Sequence, residues 1–392
     1  MNYKDKSYGR NEEVGALFKK FDAGRDISMH GPRRLGKTFL LDRLVDSASH
    51  QKWTAVKAEL AGCTDTRAVF REMCSRIGTQ RSGGANAADW LLQRFSQFLG
   101  HRSELGGPWY QSLITVDYES HFERLIKAMN DDPHRRWLLL IDELPIFLKA
   151  LHDKGPQGMA AARDFMNLVS RLRQQNPKVR WMITGSIGIE PLARAGNYLG
   201  VLAKFQSFEL HPLSEIQAKE YVQDLASTGH LPHRNKLTDA EADALVAAVG
   251  WCAAYYLDAL AQKVKGEPAA APEQAQKVID EAVSQLLQPS EMATFGPWEE
   301  HLRKHYLDTD RVVAFGVMAA LAATPQGANL DTLLTTLQCP DLRRPELQTL
   351  LIRLHTEGFI TVDNLEHDSP LCSFRNPLLR RWWQRYKPQA AV

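Results

Sequence analysis

A lysine and a threonine behind a glycine bend, and two adjacent carboxylates about a hundred residues later, are the side chains whose types and spacing could do chemistry. Residues 31–38 read GPRRLGKT, a full match to G-x-x-x-x-G-K-[ST]. Where such a loop joins a strand to a helix, its backbone N–H groups converge on phosphate oxygens. Lys37 then reaches the β- and γ-phosphates, and the Thr38 hydroxyl ligates magnesium. The expected cofactors are ATP or ADP with Mg²⁺, bound by Gly31, Pro32, Arg33, Arg34, Leu35, Gly36, Lys37, Thr38 and the adjoining Phe39.

The second signal is RWLLLIDE at 136–143. Five apolar residues, Trp137 to Ile141, suit a central strand buried on both faces, and Asp142 and Glu143 fall where that strand ends. Ligands of open parallel sheets bind outside the carboxyl ends of the strands, so these acids are expected to face the glycine loop. Asp142 would hold the metal with Thr38, and Glu143 would polarise the water that attacks the γ-phosphate. A third core strand ends in Thr184-Gly185-Ser186, which offers a hydroxyl to the same phosphate. The catalytic candidates are therefore Glu143, Lys37, Ser186 and Thr184. Upstream, Tyr8-Gly9-Arg10 leads into a helix carrying Val14, Leu17, Phe18 and Phe21. The segment 8–10 reads either as a polar cap or as a contact to the nucleotide base.

The elements that must position these groups follow from periodicity. Strands are expected at 26–30, 53–60, 136–143, 179–185 and 205–210, giving a parallel sheet of at least five with helices at 66–77, 120–129 and 161–172. Residues 79–118 break the pattern and read as an inserted helical excursion. From His211 the chain turns helical, with helices from Ser214 and over 238–249 and 251–264. Residues 266–272 (GEPAAAP) are a linker by composition, followed by helices at 273–287 and 297–306. Helices at 310–323, 330–337 and 345–357 precede a hairpin of 358–362 with 371–374. The fold class is thus α/β: a P-loop NTPase parallel sheet, a helical lid and a C-terminal winged helix-turn-helix. Its blocks are the ATPase domain (1–210), the lid (211–265), connecting helices (266–307) and the winged helix (308–392).

Composition narrows the context. A chain of 392 residues with 44% apolar and 24% charged residues is large enough for two or three domains. No apolar run approaches a membrane span, and the five cysteines form no C-x-x-C pair. A cytoplasmic protein with reduced thiols and no membrane partner is expected.

With those motifs in hand, the chain resembles the AAA+/STAND group of P-loop ATPases, specifically archaeal-type ATPases related to origin-recognition proteins. The carriers are Tyr8-Gly9-Arg10, GPRRLGKT, LLLIDE at 138–143 and ITGS at 183–186. The turn LHPL at 210–213, HLRKHY at 301–306 and FRNPLLRRWW at 374–383 extend it over nearly the whole chain. The resemblance implies Lys37, Thr38, Asp142 and Glu143 in the roles above, with Ser186 or Thr184 near sensor 1. Two departures stand out. The lid segment at 250–254 (GWCAA) has neither a Gly-x-Pro nor a sensor-2 arginine, and no single arginine stands out as a trans-acting finger among Arg171, Arg173 and Arg194. Hydrolysis is therefore expected to be slow or partner-dependent.

His301 and His305 stand four apart, but a metal site needs a third ligand, and a solvated helix face is the expectation. From Tyr306 onward there are nine basic and nine acidic residues, whereas a groove-reading domain shows a basic face. Arg343, Arg344, Arg375, Arg380, Arg381 and Arg385 keep DNA contact open, below packing on the ATPase core or docking of a protein partner. The stripe Trp382, Trp383, Tyr386 reads as core. The leading function is an ATP-dependent molecular switch whose nucleotide state controls the winged helix or a partner, with an oligomer left open. The alternatives are a DNA-binding winged-helix protein with a regulatory or structural nucleotide, and a scaffold that holds ADP permanently.

Overall fold

The structure, a computed structural model, describes residues 10–79, 117–306, 308–339, 342–363 and 370–389. The helical excursion expected over 79–118 falls, but for its ends, outside the described residues, as do Tyr8 and Gly9. The chain divides into two compact units. One holds Arg10–Gly31 and Lys37–Leu210; the other holds the chain from His211 together with the loop segment Pro32–Gly36.

The first unit is built on five strands, β1 (Ile27–His30), β2 (Trp53–Glu59), β3 (Arg136–Asp142), β4 (Val179–Thr184) and β5 (Gln206–Glu209). They form one parallel sheet in the order β2-β3-β4-β1-β5. Its helices are α1 (Asn11–Asp22), α2 (Lys37–Ala48), α3 (Thr66–Thr79), α4 (Tyr118–Asp131), α5 (Leu144–His152), α6 (Pro156–Gln175), α7 (Glu190–Ala195) and α8 (Leu199–Leu202). Strand β3 is buried from Trp137 to Asp142, as its unbroken apolar run requires. Alternate residues serve one core: Trp137, Leu139 and Ile141 join Trp181 and Ile183 of β4, Val56 and Ala58 of β2, and the apolar stripes of α3 to α6. At about 1.5–3 kcal/mol per buried large aliphatic or aromatic side chain, this cluster outweighs any single polar contact in the unit. Asp142 and Thr184 fall on the alternate positions.

The strand that begins the phosphate motif is anchored at its other end. Asp26 Oδ1 accepts from Trp181 N–H at 2.8 Å, and Oδ2 accepts from Arg173 Nε and Nη2 at 2.8 and 2.6 Å. Arg173 is therefore committed to a buried ion pair at the amino end of β1. Arg171 pairs with Glu123 on α4; Arg194 is exposed in the last turn of α7.

The second unit begins with α9 (Glu215–Ser227), α10 (Asp239–Val249) and α11 (Ala254–Ala261). Ser214 with Gln217 and Thr238 with Glu241 form reciprocal capping boxes that fix where α9 and α10 start. The Gly/Pro/Ala segment after α11 is tied down rather than loose: Arg234, paired with Glu241 at 2.9 Å, also donates to the carbonyls of Lys265 and Glu267, and Glu241 accepts from Ala269 N–H. Helices α12 (Pro272–Leu286) and α13 (Met292–His305) follow.

The last elements are α14 (Asp308–Ala323), β6 (Ala328–Asn329), α15 (Leu330–Leu337), α16 (Arg344–Glu357), β7 (Ile360–Asp363), β8 (Leu371–Phe374) and α17 (Pro377–Tyr386). The hairpin pairs Ile360 with Phe374 and Val362 with Cys372, and β6 adds a short antiparallel edge in the order β6-β8-β7. Asn376 caps α17, whose Trp382 and Trp383 are buried.

Candidate nucleotide-binding site

Four strand ends meet at one level. The parallel register sets Met29 of β1 beside Thr184 of β4, Ile141 of β3 beside Ile183, and Glu59 of β2 beside Asp142. The chain leaves β1 at His30, passes the glycine loop and re-enters helix at Lys37. The loop needs unusual backbone: Arg34 has φ +67° and Gly36 φ +91°. Glycine adopts the second at no steric cost, whereas a left-handed arginine costs on the order of 1–3 kcal/mol and marks a constrained turn.

Lys37 is buried, and its Nζ donates to the Gly31 carbonyl at 2.6 Å, so the ammonium is held back over its own loop. Thr38 Oγ1 donates to Asp142 Oδ2 at 2.9 Å across 104 residues of sequence. Asp142 is 1% exposed, and its other oxygen, Oδ1, accepts from the Glu143 N–H at 3.1 Å. These contacts join the start of α2 to the acidic end of β3. Glu143 itself is left-handed (φ +56°) at the start of α5, and its Oε2 accepts from both Ser186 N and Ser186 Oγ at 2.9 Å. Burial pushes its carboxyl above the usual carboxylate range; the two bonds from Ser186 and the charge of Lys37 oppose that rise without cancelling it.

The two sensor candidates separate. Ser186 is the partner of Glu143. Thr184 is 2% exposed and its hydroxyl has no hydrogen-bond partner among the described residues, a cost of roughly 1–3 kcal/mol unless a bound group meets it. Arg10 is buried and pairs with Glu13 at 2.6 Å in the first turn of α1. Phe39 lies on α2 with 36% of its surface exposed.

The donor set fits a magnesium–nucleotide. Thr38 and Asp142 offer hard oxygen ligands, and Mg²⁺ is characteristically held by one or two such groups plus phosphate oxygens and water. Among the described residues no cluster of three metal-binding side chains exists, so a cation at this pair would depend on phosphate for the rest of its shell.

In the second unit the loop segment Pro32–Gly36 has its own partners. Arg34 lies over the Tyr255 ring at 4.2 Å. Arg33 Nη1 is 2.6 Å from His301 Nδ1, and His301 Nε2 is 2.8 Å from Glu357 Oε2. This corrects the solvated face expected for α13: His301 and His305 are both buried, because Trp298, Leu302 and Phe295 share their side of the helix. Arg33 and Glu357 are partners of His301. Sequence reasoning missed the pair, and the only local signal was the four-residue spacing of the histidines.

No protein-family model and no curated protein matches the sequence. Among solved structures, the Walker-type ATPase paby2304 of Pyrococcus abyssi superposes with a TM-score of 0.63 at 15% identity, covering 96% of this chain and 95% of that one. The ORC2 protein of Aeropyrum pernix, in its ADPNP–ADP complexes, gives 0.51 at 14% identity over 95% and 92%. The fold is a P-loop ATPase fold. At such identities the likeness is one of architecture, and it extends across both units of the chain. The arrangement of Lys37, Thr38, Asp142 and Glu143 is read from this chain's own atoms. No helix among the described residues is long and apolar enough to cross a membrane.

Proposed function

We propose that the protein binds and hydrolyses ATP with Mg²⁺, using Lys37 and the loop amides on the phosphates, Thr38 and Asp142 on the cation, and Glu143 as the water-polarising base. The observation that carries this reading is the Thr38–Asp142 hydrogen bond at 2.9 Å, which brings the two motifs to one point. When bound, the cation would neutralise charge on the β- and γ-phosphates. Lys37, now folded onto Gly31 O, would exchange that carbonyl for phosphate oxygens. Glu143, oriented by Ser186, would accept a proton from the attacking water, and the Thr184 hydroxyl would meet the phosphate end of the ligand. The base contact assigned to residues 8–10 belongs to the same proposal, although Arg10 is engaged by Glu13.

The three helices α14, α15 and α16 with their hairpin are read as a winged helix that responds to nucleotide state or docks a protein partner. DNA recognition is the weaker reading. Arg343 is paired with Glu346 and Arg344 with Asp331, while Arg375 donates to the His355 carbonyl and Arg380 to that of Ala322. Salt-sensitive DNA binding lost in an Arg343→Ala/Arg344→Ala variant would restore it.

The test is ATP and ADP binding by the wild type and Lys37→Ala, with phosphate release followed in parallel. Lys37-dependent binding with measurable turnover supports a hydrolysing enzyme; binding without turnover reduces the reading to a nucleotide-holding scaffold. Equal affinity in the two proteins removes the site assignment.

A further inference from the structure

The second unit contains a buried polar chain that the nucleotide reading does not use. Arg33 reaches His301 on α13; His301 reaches Glu357, the last residue of α16; and Glu357 also accepts from Tyr306 Oη at 2.8 Å and from Arg353 Nε at 3.2 Å. The imidazole of His301 is fully enclosed and the Glu357 side chain nearly so. A guanidinium only donates hydrogen bonds, so His301 Nδ1 must be the acceptor and the imidazole must be neutral, with its proton on Nε2 directed at the carboxylate. Burial lowers the His301 pKa against the pull of Glu357, in keeping with that neutral form. For Glu357, burial would raise the pKa, and the hydrogen bonds from His301 and Tyr306 with the nearby positive charge, that of Arg353 included, oppose it; the net shift is downward.

A carboxylate at the C-terminal end of a helix sits against the helix dipole, and a buried ionic network is no reliable source of net stability. What this one achieves is placement. A second contact acts at the same spot. Gly358, with φ +92°, caps α16, and a Cβ there would stand 2.2 Å from the Pro32 Cβ. Pro32 and Arg33, consecutive residues of the phosphate loop, are thus held by the end of one helix, through a glycine that allows contact and a histidine oriented by a glutamate.

We propose that His301 and Glu357 are positioning residues of the phosphate loop, fixing Arg33 so that the loop releases or admits nucleotide only when this strut lets go. The inference rests on the nucleotide reading above and adds its regulation: the end of α16 sets the exchange rate at a loop to which it contributes no phosphate ligand. Arg33 and Glu357 are linked through His301, so their effects on release should be coupled while the imidazole is present.

The experiment uses the full chain loaded with a fluorescent ADP and chased with unlabelled ADP. Glu357→Gln, His301→Ala and Arg33→Ala should each speed release by about tenfold, the equivalent of one lost buried hydrogen bond. Glu357→Gln should add nothing in an Arg33→Ala or a His301→Ala background. Release rates within about twofold of wild type in folded Glu357→Gln and His301→Ala proteins would overturn the proposal, as would independent, additive effects of Glu357→Gln and Arg33→Ala. Should His301→Ala fail to fold, the Arg33/Glu357 pair of variants decides alone, since Arg33 is on a partly exposed loop. Absence of Lys37-dependent binding in the wild type sinks the nucleotide reading itself; intact binding with unmoved rates sinks only this inference.

Discussion

Glu143 is pulled two ways. Its burial raises the carboxyl pKa, and Ser186 holds the ionised oxygen with two hydrogen bonds. A base of that kind is protonated, and idle, at pH values where an exposed glutamate would still be charged. Phosphate release should therefore fall as pH drops through a value above the ordinary carboxylate range. In Glu143→Gln it should be lower by about 10²–10⁴-fold at neutral pH, with that acid limb gone and ATP binding retained. An initial-rate profile against pH checks both statements; unchanged turnover in the variant removes Glu143 from the chemistry. At this scale the sequence was most legible where chemistry constrains neighbouring positions. Gly36, Lys37, Thr38, Asp142 and Glu143 sit in short patterns of the kind that phosphate and cation binding require. His301 and Glu357 were not legible, because a pair formed across 56 residues leaves no local trace, and histidines on a helix look alike whether wet or buried.

The elements tell a similar story, with different failures. The central strands β3 and β4 could be read from their apolar runs, since a parallel sheet covered on both faces demands them, whereas β5 is an edge strand with mostly exposed residues. Helix α5 was missed because Leu144–Leu151 is a short, mostly apolar stretch, and periodicity alone does not show whether such a stretch is helix or strand. Strand β6, two residues long, is created by its pairing with β8 rather than by its own composition. Two element ends carry testable weight. Asp26→Ala would leave Arg173 partly buried without its partner and Trp181 N–H without an acceptor, costing about 3–5 kcal/mol in chemical denaturation. Gly358→Ala would impose a strained φ and drive a methyl group into Pro32. It should cost roughly 1–3 kcal/mol and perturb nucleotide affinity as well, whereas Gly266→Ala, also at positive φ but in open space, should affect stability alone.

Across the whole chain, two compact units of different construction are present: a parallel sheet flanked by helices, and a helical assembly ending in a small antiparallel sheet. The sequence turns helical in composition from His211, the residue at which the second unit takes up the chain. Why the segment Pro32–Gly36 belongs with residues more than two hundred positions away could not be seen, because nothing in GPRRLGKT specifies what packs on the outside of the loop. Stability should record the difference. His301 has a lowered pKa when folded, so the unfolded chain takes up its proton first, near pH 6.5, and stability is lost as pH falls below that value. Glu357, also lowered, adds a further loss at more acidic pH as its carboxylate is protonated. Midpoints of thermal unfolding between pH 8 and 5 should decline in the wild type and decline less in a folded His301→Gln variant; parallel curves would contradict the neutral, buried imidazole.

The central claim is that residues from the glycine loop and the β3 end act on one triphosphate. Calorimetric titration of Mg·ATP into the wild type and Lys37→Ala tests it most directly. The expected result is saturable binding to the wild type, weakened by about 10²-fold or abolished in the variant, as the loss of a charged hydrogen bond to phosphate requires. Equal binding isotherms for the two proteins, or no heat from either, would contradict it.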